Sequence, residues 1–190
     1  MLQAADLTLG ILAGGRASRL GGRDKAWLVR GGQPQVRHVA AQLADACDAV
    51  LVSANAQFER YHAHGFRTVA DMTRDAGPIG GLEALADACR TRWLLTVPID
   101  VLQVPDRVLD RLAAAGGRGA VVEDDDGLQP LLALYEIDAL RAACAAALAN
   151  GAFSVQAMQM RLGLPAVHFA GLRIGNINTP EDASSAGFLP

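Results

Sequence analysis

Residues 7–25 read LTLGILAGGRASRLGGRDK and contain the pattern that decides the fold. The apolar run at residues 7–13 has the length of a buried β-strand, and it ends at the glycine pair Gly14 and Gly15. A second glycine pair follows, together with the cations Arg16, Arg19, Arg23 and Lys25. Glycines let backbone N–H groups approach a ligand closely, and the cations add positive charge, so the segment predicts a pocket for a polyphosphate.

The loop matches neither of two common phosphate-binding motifs. It lacks the Gly-Lys-Ser/Thr ending of a Walker A loop, and it lacks the Gly-x-Gly-x-x-Gly spacing of a dinucleotide-binding fingerprint. The structural alternative is an ordinary flexible connection between a strand and a helix. The preceding apolar strand and the clustered cations favour the nucleotide-binding interpretation.

Short apolar runs alternate with helical patterns along the rest of the chain. We predict further strands at residues 49–53, 66–70, 93–97, 119–123, 131–135 and 166–169. We predict helices at residues 36–47, 79–89, 138–149 and 154–162, and helices that start near residues 105 and 179. The alternation implies an α/β fold, a three-layer single domain over residues 1–190 with a mostly parallel, Rossmann-like sheet.

Ligands bind such sheets at the carboxyl ends of the strands, where the polar residues Ser53, Asn55, Asp71 and Asp100 follow the predicted strands. A different group of carboxylates, at residues 124–126, lies in the turn of a predicted hairpin. Their spacing is not that of a calcium loop, and we expect a solvated acidic turn there.

Composition excludes several classes of function. With a hydrophobic fraction of 51% and a net charge of -3, the chain can bury a core but lacks the basic character of a general nucleic-acid-binding protein. No signal peptide or membrane span is evident, so we expect a soluble, cytoplasmic protein. We also expect it to be a monomer. The three cysteines are widely spaced and are expected to be inert thiols.

The pattern Leu-Ala-Gly-Gly-x-x-x-Arg-Leu-Gly-Gly-x-Asp-Lys at residues 12–25 resembles that of the molybdenum cofactor guanylyltransferase family, within the nucleotide-diphospho-sugar transferase fold. The resemblance extends over nearly the whole chain, through residues 31–38, residues 77–82 (GPIGGL) and residues 176–182 (NINTPED). It implies transfer of GMP from GTP to molybdopterin-bound molybdenum, giving the guanine dinucleotide cofactor and pyrophosphate. Cofactor-biosynthesis proteins or recipient molybdoenzymes are the partners that such a role implies.

Three residues are the candidates for catalysis. Arg19 and Lys25 would neutralise the phosphates and the departing pyrophosphate. Asp100 follows a buried apolar strand, where a carboxylate can hold Mg²⁺ beside phosphates, and the resemblance implies the same role. The structural alternative for Asp100 is an exposed helix cap.

The remaining candidates would bind the two substrates. For the nucleotide they are Leu12, Ala13, Gly14, Gly15, Lys25, Ser53, Asn55, Asp71 and Asp100. Ser53 stands where relatives often have asparagine, and Asn55 either compensates or begins a turn. For the acceptor they are Asn176 and Asn178, which bracket Ile177 so that both amides face one side of an extended segment. The alternative for this pair is a turn that enters a helix.

Two other functions stay open. One is a related transferase that uses CTP or another NTP with a different phosphate acceptor. The other is a non-catalytic nucleotide-binding protein, because residues 99–105 (IDVLQVP) depart from the family's Cys-Asp-x-Pro-x-x-Pro pattern. The retained Arg19, Lys25 and Asp100 favour an enzyme, and the glycine pair at residues 21–22 resembles the guanylyl branch more than the cytidylyl one.

Overall fold

The structure is a computed structural model that describes residues 2–14, 24–73 and 75–188. Its strands are β1 (Leu7–Leu12), β2 (Val29–Arg30), β3 (Gln33–Pro34), β4 (Ala49–Ser53), β5 (Arg67–Val69), β6 (Trp93–Pro98), β7 (Gly119–Asp124), β8 (Gly127–Glu136) and β9 (Ala166–His168). Seven of them form one sheet in the order β5-β4-β1-β6-β8-β7-β9, and β2 and β3 form a separate small ribbon. The described part of the sheet is parallel except at β8, which is antiparallel to both β6 and β7. The mostly parallel α/β sheet predicted from the sequence is therefore confirmed.

The α-helices are α1 (Gln35–Ala41), α2 (Phe58–Ala63), α3 (Pro78–Ala88), α4 (Val108–Ala114), α5 (Ile137–Ala149), α6 (Val155–Leu162) and α7 (Pro180–Ser185). Short 3-10 turns cover Ala4–Asp6, Lys25–Trp27 and Ala44–Ala46. Among the described residues, no helix combines the length and apolar character that a bilayer crossing requires.

The helices form a layer on each face of the sheet because successive strand residues point to opposite sides. On β6, Leu95 packs into the cluster that contains α1 and α4 residues, whereas its neighbour Leu94 packs with α3, α5 and α6 residues. Leu134 and Tyr135 divide in the same way on β8. Each long strand thus contributes to two apolar cores, which fixes the three-layer architecture.

Two predicted helices have different ends in the structure. The first ends at Ala41, and the 3-10 turn Ala44–Ala46 replaces its last turn. Leu43 is buried in the core, as its apolar spacing predicted, although it lies beyond the end of the helix. The helix expected from about residue 105 begins at Val108, because Arg107 adopts a left-handed conformation with φ 56° that interrupts a helix.

The β7–β8 hairpin is confirmed, but the expectation that its acidic turn is solvated is wrong for Asp124. Only 2% of this residue is exposed. Its carboxylate accepts hydrogen bonds from Ile174 N (2.8 Å), Asp126 N (3.0 Å) and Gln129 Nε2 (3.1 Å). Burial raises the pKa of Asp124, but these hydrogen bonds and one from Gly127 N outweigh it and hold the pKa below its usual value.

Candidate active site

Three neighbouring strands bring their carboxyl ends to one cavity of about 240 Å³. β1 contributes Leu12, β4 contributes Ser53, and Asp100 lies just beyond β6. Backbone hydrogen bonds continue the parallel pairing past the strands, from Ala13 N to Ser53 O (2.9 Å) and from Ile99 N to Leu12 O (3.0 Å). The candidates Leu12, Ala13, Gly14, Lys25, Ser53 and Asp100 all line this cavity, at the edge that the sheet topology indicates.

Lys25 is the central cation of the described site. Its Nζ donates to Asp100 Oδ2 at 2.9 Å and to Asn178 Oδ1 at 3.2 Å. The side chains of Lys25 and Asp100 are 21% and 26% exposed, so the pair is half-shielded from water but open to the cavity. One ammonium therefore connects the proposed metal ligand with the proposed acceptor segment, although 153 residues separate Lys25 from Asn178.

Asp71 is held by two side chains, one from the last residue of β4 and one from just beyond it. Ser53 Oγ donates to Asp71 Oδ1 at 3.3 Å, and Asn55 Nδ2 donates to Asp71 Oδ2 at 2.9 Å. Asp71 N in turn donates to Asn55 Oδ1 at 3.0 Å. Asn55 and Asp71 line a second, larger cavity of about 840 Å³, which shares Ala13, Gly14 and other residues with the first. Asn55 therefore does more than begin a turn, because it fixes the Asp71 carboxylate.

The start of α3 forms one wall of the first cavity, although none of its residues was among the predicted site residues. Pro78 occupies the first turn of the helix and lines both cavities, while Gly81 faces Ser53. A Cβ at Gly81 would lie 2.8 Å from Ser53 Oγ and 2.9 Å from Leu12 Cδ2, so a larger residue there would displace these side chains from the cavity wall. The positive end of the helix dipole thus borders the cavity, which favours an anionic ligand. The weak match at residues 77–82 was the signal for this element.

The acceptor candidates lie in an extended segment that pairs with the residues after β6. Asn176 forms an isolated antiparallel bridge with Val101, and Ile177 N donates to Asp100 O at 2.9 Å. Ile177 is fully buried, whereas Asn176 and Asn178 are exposed. Asn178 reaches Lys25, while Asn176 does not line either cavity among the described residues. The helix entry also exists, since Thr179 and Asp182 form a capping box at α7.

Other predicted features contribute less to the described site. Gly15 and Arg19 lie outside the described residues. Across residues 2–14, 24–73 and 75–188, no three His, Cys, Asp or Glu side chains come together as a metal cluster. A third cavity of about 470 Å³ lies between α5 and α6, shares no lining residue with the first two, and is lined mainly by alanines. Burial raises the pKa of Cys144 to about 12, in keeping with an inert thiol.

Asp100 nevertheless fits a magnesium ion. Mg²⁺ is usually bound through one or two protein carboxylates, with water and substrate phosphates as the other ligands. Asp100 offers a partly exposed carboxylate on the cavity wall, and its present partner is itself a cation, Lys25. A hard cation is therefore chemically suited to the same position.

Comparison with known proteins identifies the family to which the chain belongs. Residues 9–162 match the model of the MobA-like NTP transferase domain. The molybdenum cofactor guanylyltransferase of Pseudomonas aeruginosa is 33% identical over 178 residues, covering 90% of this chain and 89% of the relative. The enzyme of the same name from Photobacterium profundum is 32% identical over 183 residues, covering 93% of both chains.

A solved structure shows the same fold. Molybdopterin-guanine dinucleotide biosynthesis protein A from Archaeoglobus fulgidus superposes with a TM-score of 0.74 at 22% identity, covering 95% of this chain and 96% of that one. The matched lengths are nearly complete in each of these comparisons.

Proposed function

We propose that this chain, which belongs to the MobA-like NTP transferase family, transfers GMP from GTP to molybdopterin-bound molybdenum, with release of pyrophosphate. The observation that carries the proposal is the position of Lys25, whose ammonium contacts both Asp100 and the acceptor candidate Asn178. A donor phosphate and an acceptor phosphate could therefore meet at one cationic point. Residues 1–190 would act as one nucleotidyltransferase domain, and a reaction that consumes GTP is expected in the cytoplasm.

The transfer is an in-line displacement at the α-phosphorus of GTP. An oxygen of the terminal phosphate of molybdopterin forms the new bond to that phosphorus, and the bond between the α-phosphorus and the bridging oxygen to the β-phosphate breaks. The electron pair leaves with pyrophosphate. No covalent enzyme intermediate is required, so the protein contributes positioning and charge stabilisation.

The residues divide this work between them. Lys25, and Arg19 outside the described part, would stabilise the phosphates and the departing pyrophosphate. Asp100 would hold a magnesium ion, which supplies Lewis-acid stabilisation of phosphate charge when bound. The backbone of residues 12–15 would lie against the nucleotide, and Asn178, with Asn176 beside it, would contact the acceptor.

Asp71 offers a physical reason for a preference for GTP. Guanine presents two adjacent N–H donors on its Watson–Crick edge, and a carboxylate presents two acceptor oxygens that can bind both of them. Ser53 and Asn55 each donate one hydrogen bond to the Asp71 carboxylate, and Asn55 also accepts one from Asp71 N, so the carboxylate is held beside the cavities. Adenine lacks the paired donors on that edge, and a site built around Asp71 would discriminate against it.

The test is a transfer assay with nucleotides labelled at the α-phosphate. Purified protein, magnesium and molybdenum cofactor are incubated separately with GTP, CTP, UTP and ATP, and labelled cofactor and pyrophosphate are measured. We expect magnesium-dependent transfer from GTP far above the other three. Transfer from CTP alone would overturn the guanylyl assignment, and tight GTP binding without transfer would indicate a non-catalytic nucleotide-binding protein.

A further inference from the structure

The 3-10 turn that carries Lys25 is fixed by a single carboxylate. Asp24 precedes this turn, and its Oδ1 accepts a hydrogen bond from Ala26 N at 2.9 Å. The other oxygen, Oδ2, accepts from Gln57 Nε2 at 3.0 Å. One side chain therefore caps the turn and also ties it to the residue that precedes α2, 33 positions further along the chain.

Aromatic contacts bring the first turn of α2 to the same place. The Arg60 guanidinium lies 4.2 Å from the centroid of the Trp27 ring, and the rings of Tyr61 and Trp27 are 4.7 Å apart. Arg60 Nη1 also donates to Gln57 Oε1 at 3.4 Å. Trp27 is the last residue of the Lys25 turn, so α2 contacts the end of that turn, while Gln57, just before α2, contacts Asp24 at its start.

Gln57 makes its contact from an unfavourable backbone conformation. Its φ of 57° and ψ of 31° lie in the left-handed region, where a side chain with a Cβ is costly and glycine is not. Its side chain is exposed, so burial of apolar surface does not explain a glutamine at this position. Both polar ends of its amide are bonded, one of them to Asp24. Strained residues of this kind concentrate at functional sites.

We propose that Gln57 and Asp24 are positioning residues that hold the Lys25 ammonium in place for the phosphates of the nucleotide. This inference rests on the proposed function, in which Lys25 binds phosphate. Gln57 anchors the Asp24 carboxylate, Asp24 caps the turn, and the turn directs Lys25 towards Asp100. Asp24 lines both cavities at the strand ends, whereas Gln57 lines neither, so Gln57 acts on Lys25 through the Asp24 carboxylate.

Four variants separate positioning from a general structural role. Gln57→Gly removes the amide and relieves the left-handed strain. Gln57→Glu places a second carboxylate against Asp24. Asp24→Asn keeps an oxygen for Ala26 N but turns an amide towards Gln57. The double variant Asp24→Asn with Gln57→Glu restores an amide–carboxylate hydrogen bond in the reverse direction.

Arg107→Gly is the matched control. Arg107 also precedes a helix, is exposed, and has a left-handed φ of 56°. It lines neither of the two cavities at the strand ends. Its replacement therefore relieves the same kind of strain without altering the Lys25 turn.

The experiment measures kcat, KM for GTP and the melting temperature of each variant, together with binding of GTP and guanosine. Gln57→Gly should melt at or above the wild-type temperature, yet raise the KM for GTP about three- to tenfold, the value of one hydrogen bond to a charged, partly exposed group. Gln57→Glu should raise the KM for GTP further, and the double variant should return it most of the way to the wild-type value. Guanosine has no phosphate, so its binding should stay within about twofold of wild type in every variant. Arg107→Gly should leave the kinetics unchanged.

The outcomes distinguish this inference from the proposed function. Wild-type KM values in Gln57→Gly and Gln57→Glu, or no recovery in the double variant, would overturn the positioning role. Equal losses for GTP and guanosine would overturn it as well. A wild-type protein that transfers no GMP would instead contradict the proposed function.

Discussion

Two aspartates occupy equivalent places at the same edge of the sheet and have opposite environments. Asp100 lies just past the end of β6, and Asp124 is the last residue of β7, which runs parallel to β6. The side chain of Asp100 is 26% exposed, lines a cavity and forms an ion pair with Lys25. Asp124 is 2% exposed and accepts hydrogen bonds mainly from backbone N–H groups.

The difference shows that a strand-end carboxylate is not by itself a functional site. The oxygens of Asp124 are used to attach the hairpin to the segment at Ile174, which leads towards Asn176 and Asn178. Asp100 instead has a cation as its described partner, and a metal or phosphate-bound ion can replace a cation. The hydrogen-bonding partners of a strand-end carboxylate, rather than its place in the topology, indicate whether its role is catalytic or structural.

The largest expected effect is on Asp100. Asp100→Asn should lower turnover about 10²-fold or more, because the transition state loses one charge stabiliser, while the melting temperature changes little. Turnover is measured as pyrophosphate release over a series of magnesium concentrations. A variant with the wild-type rate and magnesium dependence would mean that Asp100 resembles Asp124 in role.

Lys25 should show the next largest effect. Lys25→Ala is expected to weaken GTP binding about 10- to 100-fold, which is the contribution of hydrogen bonds to charged groups. The affinity for guanosine should be nearly unaffected. Calorimetry with both ligands measures the two affinities. Equal losses for GTP and guanosine would show that Lys25 does not contact phosphate.

Asp124 should respond in stability rather than in activity. Asp124→Asn replaces one acceptor oxygen with a donor, so buried N–H groups lose their partner and the free energy of unfolding should fall by about 1–3 kcal/mol. Denaturant unfolding measures this loss, and turnover per folded molecule should stay within about twofold of wild type. A loss of turnover without a loss of stability would indicate that Asp124 has a catalytic role.

The pH dependence of the same variant sharpens this prediction. The folded-state pKa of Asp124 is lowered, so its stabilising contribution is fully present above the ordinary carboxyl pKa of about 4 and is lost as the pH falls through the lowered value. The stability difference between wild type and Asp124→Asn should therefore narrow below about pH 4. A difference that is constant from pH 7 to about pH 3 would contradict the assigned pKa direction.

Ser53 should have the smallest effect. Ser53→Asn offers a longer amide next to Asp71 and should sharpen the preference for GTP over ITP and ATP by about 2–10-fold, the value of one hydrogen bond. Selectivity is measured as the ratios of kcat/KM for the three nucleotides in the wild type and in the variant. Identical ratios would show that position 53 does not influence base or ribose selection.

The sequence predicted the strands well because each apolar run is bounded by polar or glycine residues. β4 was placed at its observed ends, and β1 and β6 within one residue of them. It also placed Lys25 and Asp100 at one edge, since parallel strands end together. What it could not supply are partners distant in the chain. The burial of Asp124 depends on Ile174 N, 50 residues away, and the role inferred for Gln57 depends on Asp24.

The most direct measurement compares Asp100→Asn and Asp124→Asn at equal concentrations of folded protein. Label transfer from the α-phosphate of GTP to molybdenum cofactor is followed with magnesium present, beside the wild type. We predict that Asp124→Asn transfers GMP at nearly the wild-type rate, whereas Asp100→Asn is slower by about 10²-fold or more. Equal rates in the two variants would contradict the account, because the carboxylate that faces the cavity would then matter no more to the reaction than the one that is buried.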